Sequence, residues 1–250
     1  MELIVPDWID APATVNAVST TRRGGLSRGP YDDGDGGGGL NLGVHVDDDV
    51  AAVRANRGLL NSVLPAEPAW LTQVHGNRVV DAAAAHAAPE ADASIATVPG
   101  VVCAVQTADC LPVLFCDSAG KVVGAAHAGW RGLAGGVLEN TVGAMRDAGA
   151  GDILAWLGPA IGPQQFEVGS DVFDAFVRKD EAMAAAFQPK SGSDGKYLAD
   201  MYALARRTLQ LVGVVRVAGG GFCTVTEQKR FYSFRRDRVT GRMASLIWLK

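Results

Sequence analysis

Cysteine and histidine are the side chains that most readily serve as metal ligands or as a nucleophile–base pair, and one of each flanks a hairpin pattern in this sequence. The runs LPVLFC (111–116) and KVVGAA (121–126) are apolar and strand-like. Between them, Asp117-Ser118-Ala119-Gly120 is a turn sequence with a glycine available for positive φ. Pairing symmetric about that turn sets Phe115 against Val122 and Val113 against Gly124, and further out it sets Cys110 against His127. Directly opposed residues of an antiparallel pair hold their Cβ atoms about 4.5–5.5 Å apart. At that spacing a thiolate and an imidazole can share one metal ion, or act together as nucleophile and base.

The surroundings fit a site at this end of the hairpin. ADC (108–110) and HAGWRG (127–132) lie where strands end, and HAGWRG leads into a helical pattern. Its glycines permit close backbone approach, a helix N-terminus offers free N–H groups to an anion, and Arg131 adds a guanidinium fork. Asp109 either orients a ligand or caps the turn. Cys103 and Cys116 read as core packing, and His86, in AAAAHAAPE, as a surface connection. From spacing alone His75 is a turn residue in VHGN. Asp32, Asp33 and Asp35 in the glycine-rich stretch 32–39 resemble a calcium loop, but the distal glutamate is missing. That stretch reads as a mobile loop.

The elements that must position these groups alternate between strand and helix patterns. VNAVSTTRRGG reads as a strand entering a loop. DDVAAVRANRGLLNSVL reads as a helix with acids at its front, and AWLTQVHGNRVVDA as two short strands joined around His75-Gly76-Asn77. VVCAVQ, LPVLFC and KVVGAAH are strands, GLAGGVLENTVGAMRDAG is a helix, and ILAWLGPAIG is a buried strand running into a turn. DVFDAFVRKDEAMAAAF and YLADMYALARRTLQLVG are helical, and VRVAGGGFCTVT and MASLIWLK are closing strands. Several strands follow one another too tightly for parallel crossovers, so the expected fold is one α/β domain over residues 1–250, with a mixed β-sheet covered by helices on both faces.

Bulk properties exclude other classes. Hydrophobic residues make up 48% of the chain, enough for a substantial core, and the net charge is −4 with a pI near 5.6. Neither suits nucleic-acid or anionic-membrane binding, which calls for a basic face. Arg235, Arg236 and Arg238 cluster, but Asp237 interrupts them, which leaves them as local anchors for a substrate anion. No apolar run reaches the roughly 18 residues of a membrane span, and no export signal is visible at the start. Four cysteines without framework spacing favour a reducing, cytoplasmic compartment. A monomer or small homo-oligomer is expected.

TQVHG (72–76), TADCLPVLF (107–115), AAHAGWRG (125–132), GPAIGP (158–163) and FYSFRRDRVTGR (231–242) together resemble the YfiH-type proteins. These were formerly described as multicopper polyphenol oxidase or laccase-domain proteins and are now treated as purine nucleoside phosphorylases. STTRRGGLSRGPY and NLGVHVDDD extend the resemblance over almost the whole chain. It implies a Zn2+ site (with Cu2+ as an alternative) on His75, Cys110 and His127. It also implies α/β/α layers of a cysteine-hydrolase-like fold, with phosphorolysis of adenosine, inosine and methylthioadenosine and deamination of adenosine. The partners implied are purine nucleosides and phosphate. Two histidines and one cysteine leave a fourth zinc position open, as a catalytic site requires. Arg22, Arg23, Arg131 and Arg235 are candidates for phosphate, and Asn41 for substrate contact.

Gln164-Gln165 stand where many relatives carry cysteines, and the glycine-rich stretch lengthens a loop before NLG. Two other chemistries compete. One is a metal-free amide hydrolase with Cys110 as nucleophile and His127 as base, suited to editing peptidoglycan precursors. The other is copper-dependent phenol oxidation, which three ligands serve poorly.

Overall fold

A computed structural model describes every residue from Met1 to Lys250. Its strands are β1 (Leu3–Ile4), β2 (Val15–Thr20), β3 (Arg23–Ser27), β4 (Val79–Asp81), β5 (Ala93–Ala96), β6 (Val102–Thr107) and β7 (Leu111–Asp117), then β8 (Val123–Ala128) and β9 (Ile153–Leu157). They continue as β10 (Glu167–Gly169), β11 (Phe187–Pro189), β12 (Lys196–Ala199), β13 (Arg216–Gly219) and β14 (Met243–Leu249). The helices are α1 (Val50–Asn61), α2 (Trp130–Ala134), α3 (Val137–Asp147), α4 (Ser170–Val177), α5 (Met201–Leu211) and α6 (Phe234–Asp237).

The central strands are buried at every position, and the alternation of their side chains between two faces sorts them into layers. One sheet has the order β13-β9-β7-β8-β5-β4 and is mixed, with parallel pairs at its two edges and antiparallel pairs between. Val113, Phe115, Ala126, Ala155 and Leu157 point from it into a core shared with α2, α3, α4 and α5. Their neighbours Leu114, Cys116, Val123, Ala125, Leu154 and Trp156 point the other way and meet Cys103, Val105, Ile247 and Leu249. Those four belong to a second, antiparallel sheet of order β1-β2-β14-β6. The outer face of that sheet, with Ala104, Leu246 and Trp248, packs on Leu60 of α1 and on Leu40 and Leu42. The expected single sheet between helices is therefore two stacked sheets, because the strands of each are apolar on both faces. A small third sheet, β10-β12-β11, flanks α4.

Local chemistry redraws some boundaries. The helix expected over 132–149 is broken into α2 and α3 at Gly135-Gly136, where Gly136 adopts φ +95°. YLA forms β12 rather than helix; Asp200 then accepts the Ala203 N–H and starts α5. Residues 181–186 form a 3-10 turn rather than continuing α4. Around His75 only Val79–Asp81 is a strand, and the segment before it is held by side chains.

The β7–β8 hairpin forms with a register different from the expected one. The Asp117 carboxylate accepts the N–H groups of Lys121 (2.7 Å) and Val122 (2.8 Å), so the loop is Ser118 to Lys121. Phe115 then faces Gly124, and Pro112, not Cys110, faces His127. The slip is two residues, an even number, so Cys110 stays on the same face as His127 and becomes its diagonal neighbour.

Candidate metal centre and cleft

The donor atoms of His75, Cys110 and His127 converge to within 4.8 Å of one another. Cys110 Sγ lies 3.7 Å from His75 Nε2, and the two imidazole rings meet edge to face at 4.8 Å. Each ligand comes from a different element: His75 from the loop before β4, Cys110 from the mouth of β7, His127 from β8. His127 is almost fully buried, whereas His75 is exposed.

Asp92, fully buried just before β5, holds two of the three. Its Oδ1 takes the Nδ1–H of His127 at 2.8 Å and the backbone N–H of His75 at 2.9 Å. Its Oδ2 takes the N–H groups of Gly76 (2.7 Å) and Val74 (3.2 Å). This fixes the His127 proton on Nδ1 and turns Nε2 to the centre, the arrangement that orients metal-ligating histidines. It also holds His75 at φ +60°, a left-handed conformation uncommon for residues other than glycine. Burial pushes the Asp92 carboxyl up, but the hydrogen bonds from His127 and the backbone leave it below its ordinary value.

Asp109, expected either to orient a ligand or to cap the turn, ties the Cys110 strand mouth to a distant loop. Its carboxylate accepts the Thr224 hydroxyl and the Arg235 N–H, both at 2.6 Å, with its own φ at +92°. The Gln73 side chain clamps the backbone of Gln106, its Nε2 donating to the Gln106 carbonyl (2.8 Å) and its Oε1 accepting the Gln106 N–H (2.7 Å), which docks the His75 loop against β6.

The glycines of HAGWRG act through space rather than through the helix terminus. A β-carbon at Gly129 would stand 2.7 Å from His75 Cδ2 and 3.0 Å from Cys110 Sγ; one at Gly132 would stand 2.7 Å from the Gly76 carbonyl. α2 is little more than one turn, and its Arg131 is exposed, with its guanidinium over Trp130 at 4.6 Å.

Burial raises the Cys110 thiol, but His127 and His75 more than reverse this and hold it below its ordinary value. His127 is lowered by burial and raised further by Cys110 and Asp92, for a net upward shift. Without metal, each partner thus favours the charged form of the other, thiolate and imidazolium. The donor set fits zinc: tetrahedral Zn–N and Zn–S bonds of about 2.0–2.3 Å place donors about 3.4–3.7 Å apart, so the group needs only a small contraction. All three donors line a cleft of about 610 Å³, and a tetrahedral ion held by them would have one position left for a ligand.

The cleft wall includes His45, Arg57, Trp70, Gln73, Phe234 and Arg242. None of the arginines expected to meet phosphate is among its lining residues. Arg22 is buried against Asp32 and the Gln228 carbonyl, and Arg23 pairs with Asp35. Arg235 turns to the Glu167 carbonyl and the Phe166 ring. Asn41 is fully buried with its amide saturated by Gly43, Asp48 and the Arg242 N–H, so it positions neighbours instead of touching the cleft. Asp92 and Arg57 were not legible as site residues, since they reach the centre and its cleft only through pairings distant in sequence; Arg242 ends the FYSFRRDRVTGR motif, where nothing in the sequence sets it apart from the other arginines.

The fold is that of an α/β protein whose three-donor centre could hold a metal ion, and comparison with known proteins specifies it further. The family model described as multi-copper polyphenol oxidoreductase laccase matches residues 16–250. Purine nucleoside phosphorylase PA4543 of Pseudomonas aeruginosa is 53% identical over 99% of this chain and 98% of its own length. Purine nucleoside phosphorylase YfiH of Escherichia coli is 53% identical over 99% of each chain. The crystal structure of Neisseria meningitidis NMB0706 superposes with a TM-score of 0.91 at 52% identity, covering 100% of both chains. That of Geobacillus stearothermophilus YlmD gives 0.82 at 31%, covering 100% of this chain and 98% of the other. The chain belongs to the YfiH family of purine nucleoside phosphorylase-type proteins.

Proposed function

We propose that this protein is a zinc-dependent purine nucleoside phosphorylase that acts on adenosine, inosine and methylthioadenosine and also deaminates adenosine. The observation that carries the reading is the three-donor group lining the cleft, which would leave a tetrahedral ion one position for a ligand. The names and full-length identity of the relatives supply the reaction class.

His75, Cys110 and His127 would hold the ion, which when bound supplies Lewis acidity beside the substrate. The chain's own residues do the rest. Asp92 keeps His127 in the tautomer that presents Nε2. The Phe234 ring, 47% exposed on the cleft wall, offers an apolar face on which a purine can stack. In phosphorolysis a phosphate oxygen bonds to the ribose C1′ as the C1′–N9 bond breaks. The electron pair and the phosphate proton end on the departing purine.

A second reading has its own support. The lowered thiol and raised imidazole make Cys110 and His127 a nucleophile–base pair when no metal is present, as an amide hydrolase requires. Adenine release from adenosine separates the two. Release that needs phosphate, disappears on chelation, returns with zinc and is abolished in Cys110→Ala supports the phosphorylase. Full turnover in a metal-free preparation overturns the zinc dependence.

A further inference from the structure

Arg57 and Arg242 reach the same cleft from opposite ends of the chain, and both are tethered to one short segment, Asn41-Leu42-Gly43. The Leu42 carbonyl accepts Arg57 Nε at 3.0 Å, and the Leu42 N–H donates to the Arg242 carbonyl at 3.1 Å. Asn41 Oδ1 accepts the Arg242 N–H at 2.8 Å. Gly43 is a glycine for a steric reason: a β-carbon there would lie 2.8 Å from Arg242 Cγ. The segment thus holds two cations in register with each other.

Neither guanidinium is neutralised within the chain. No carboxylate comes within ion-pair distance of either. Arg57 uses only its Nε, stacking on Trp70 at 4.2 Å, and Arg242 uses only Nη1, on the carbonyls of Thr240 and Gly241. Arg57 Nη1 and Nη2, and Arg242 Nε and Nη2, therefore remain unbonded. The titratable groups facing them are few: Glu67, toward Arg57, is engaged by Asn61 and Trp70; toward Arg242 stand the Cys110 sulfur, which belongs to the three-donor centre, Asp109, engaged by Thr224 and Arg235, and Tyr31, bonded to the Val46 carbonyl. His45, on the same wall, is held below its ordinary pKa by burial and by both arginines. A half-buried cluster of cations with open donors, beside a reactive centre, is relieved by an anion.

We propose that Arg57 and Arg242, assisted by His45, form the phosphate subsite of this cleft, binding the attacking phosphate and then the phosphoryl group of the sugar product. This rests on the phosphorylase reading above. It assigns the anion to residues of the cleft wall rather than to Arg131 or Arg235, neither of which lines the cleft.

The test is calorimetric titration of the zinc-loaded protein with inorganic phosphate, alongside the phosphate dependence of adenine release. Arg57→Met and Arg242→Met are each expected to raise the phosphate Kd and phosphate KM at least tenfold, more than they raise the adenosine KM. Lysine at either position is expected to recover part of the loss. Should a methionine variant fail to fold, the lysine variants and His45→Gln carry the same comparison, with phosphate KM rising more than adenosine KM. Wild-type phosphate affinity in the folded variants overturns the subsite, even where phosphorolysis itself stands. Phosphate binding that depends on these arginines, in a protein that does not cleave nucleosides, supports the subsite and overturns the reading it rests on.

Discussion

Asp92 shows how one residue sets the chemistry of others. Its two oxygens accept four hydrogen bonds, from three consecutive backbone N–H groups and from His127, and it has no exposed surface. Asp92→Asn replaces an acceptor with a donor that faces N–H groups. The expected result is a ten- to hundredfold loss of zinc affinity, the usual effect of removing a partner that orients a ligand. Competition with a chromophoric chelator measures it, and unchanged affinity would show that the His75 loop holds itself. Nothing near Asp92 in the sequence marks this role, because its partners lie 16 to 35 residues away. Cys110 and His127 were legible because turn chemistry and alternation bring them to one strand end. His75 was legible only by resemblance. Arg131 and Arg235 drew notice because they sit inside conspicuous motifs, yet the fold directs their side chains elsewhere, and Arg57 and Arg242 stand in the cleft instead.

At the scale of elements, the centre depends on how closely α2 approaches the His75 loop. Gly129 and Gly132 make that approach possible, and the clearance at Gly129 is the tighter at the ligands. Gly129→Ala is expected to displace His75 or Cys110, lowering zinc affinity at least tenfold while the protein still folds, since the strain falls on one exposed loop and one strand mouth. Gly58→Ala is the matched control: Gly58 lies within α1, where an added β-carbon meets nothing within 4 Å. It is expected to be neutral or to stabilise the fold by about 1 kcal/mol, with zinc affinity unchanged. Parallel thermal melts and zinc titrations check both. The elements themselves were largely readable, because strand alternation and the Asp49 cap act locally. The breaks were harder. A left-handed glycine at 136 and the Asp200 cap interrupt patterns whose apolar spacing continues across them, and the two-residue hairpin slip follows from one carboxylate closing the turn at Asp117.

The stacking of two sheets distributes the four cysteines into distinct chemical environments across the whole molecule. Cys103 of β6 and Cys116 of β7 face each other's sheets in the layer between them, fully buried, and burial pushes both thiols up to about 12. Reagent reaches them only if the sheets separate, an opening that amounts to unfolding the core. Cys110 and Cys223 are partly exposed, the first at the cleft and the second donating no bond but accepting the Gly162 N–H at 3.3 Å. A thiol assay on native metal-free protein should therefore count two reactive cysteines, and the zinc-loaded protein one, because coordination occupies the Cys110 sulfur. Denaturant should raise the metal-free count to four, with the last two thiols appearing in step with loss of the circular-dichroism signal. A third thiol reacting before that transition would mean that the two sheets part without global unfolding. Zinc that leaves the native count at two would remove Cys110 from the ligand set.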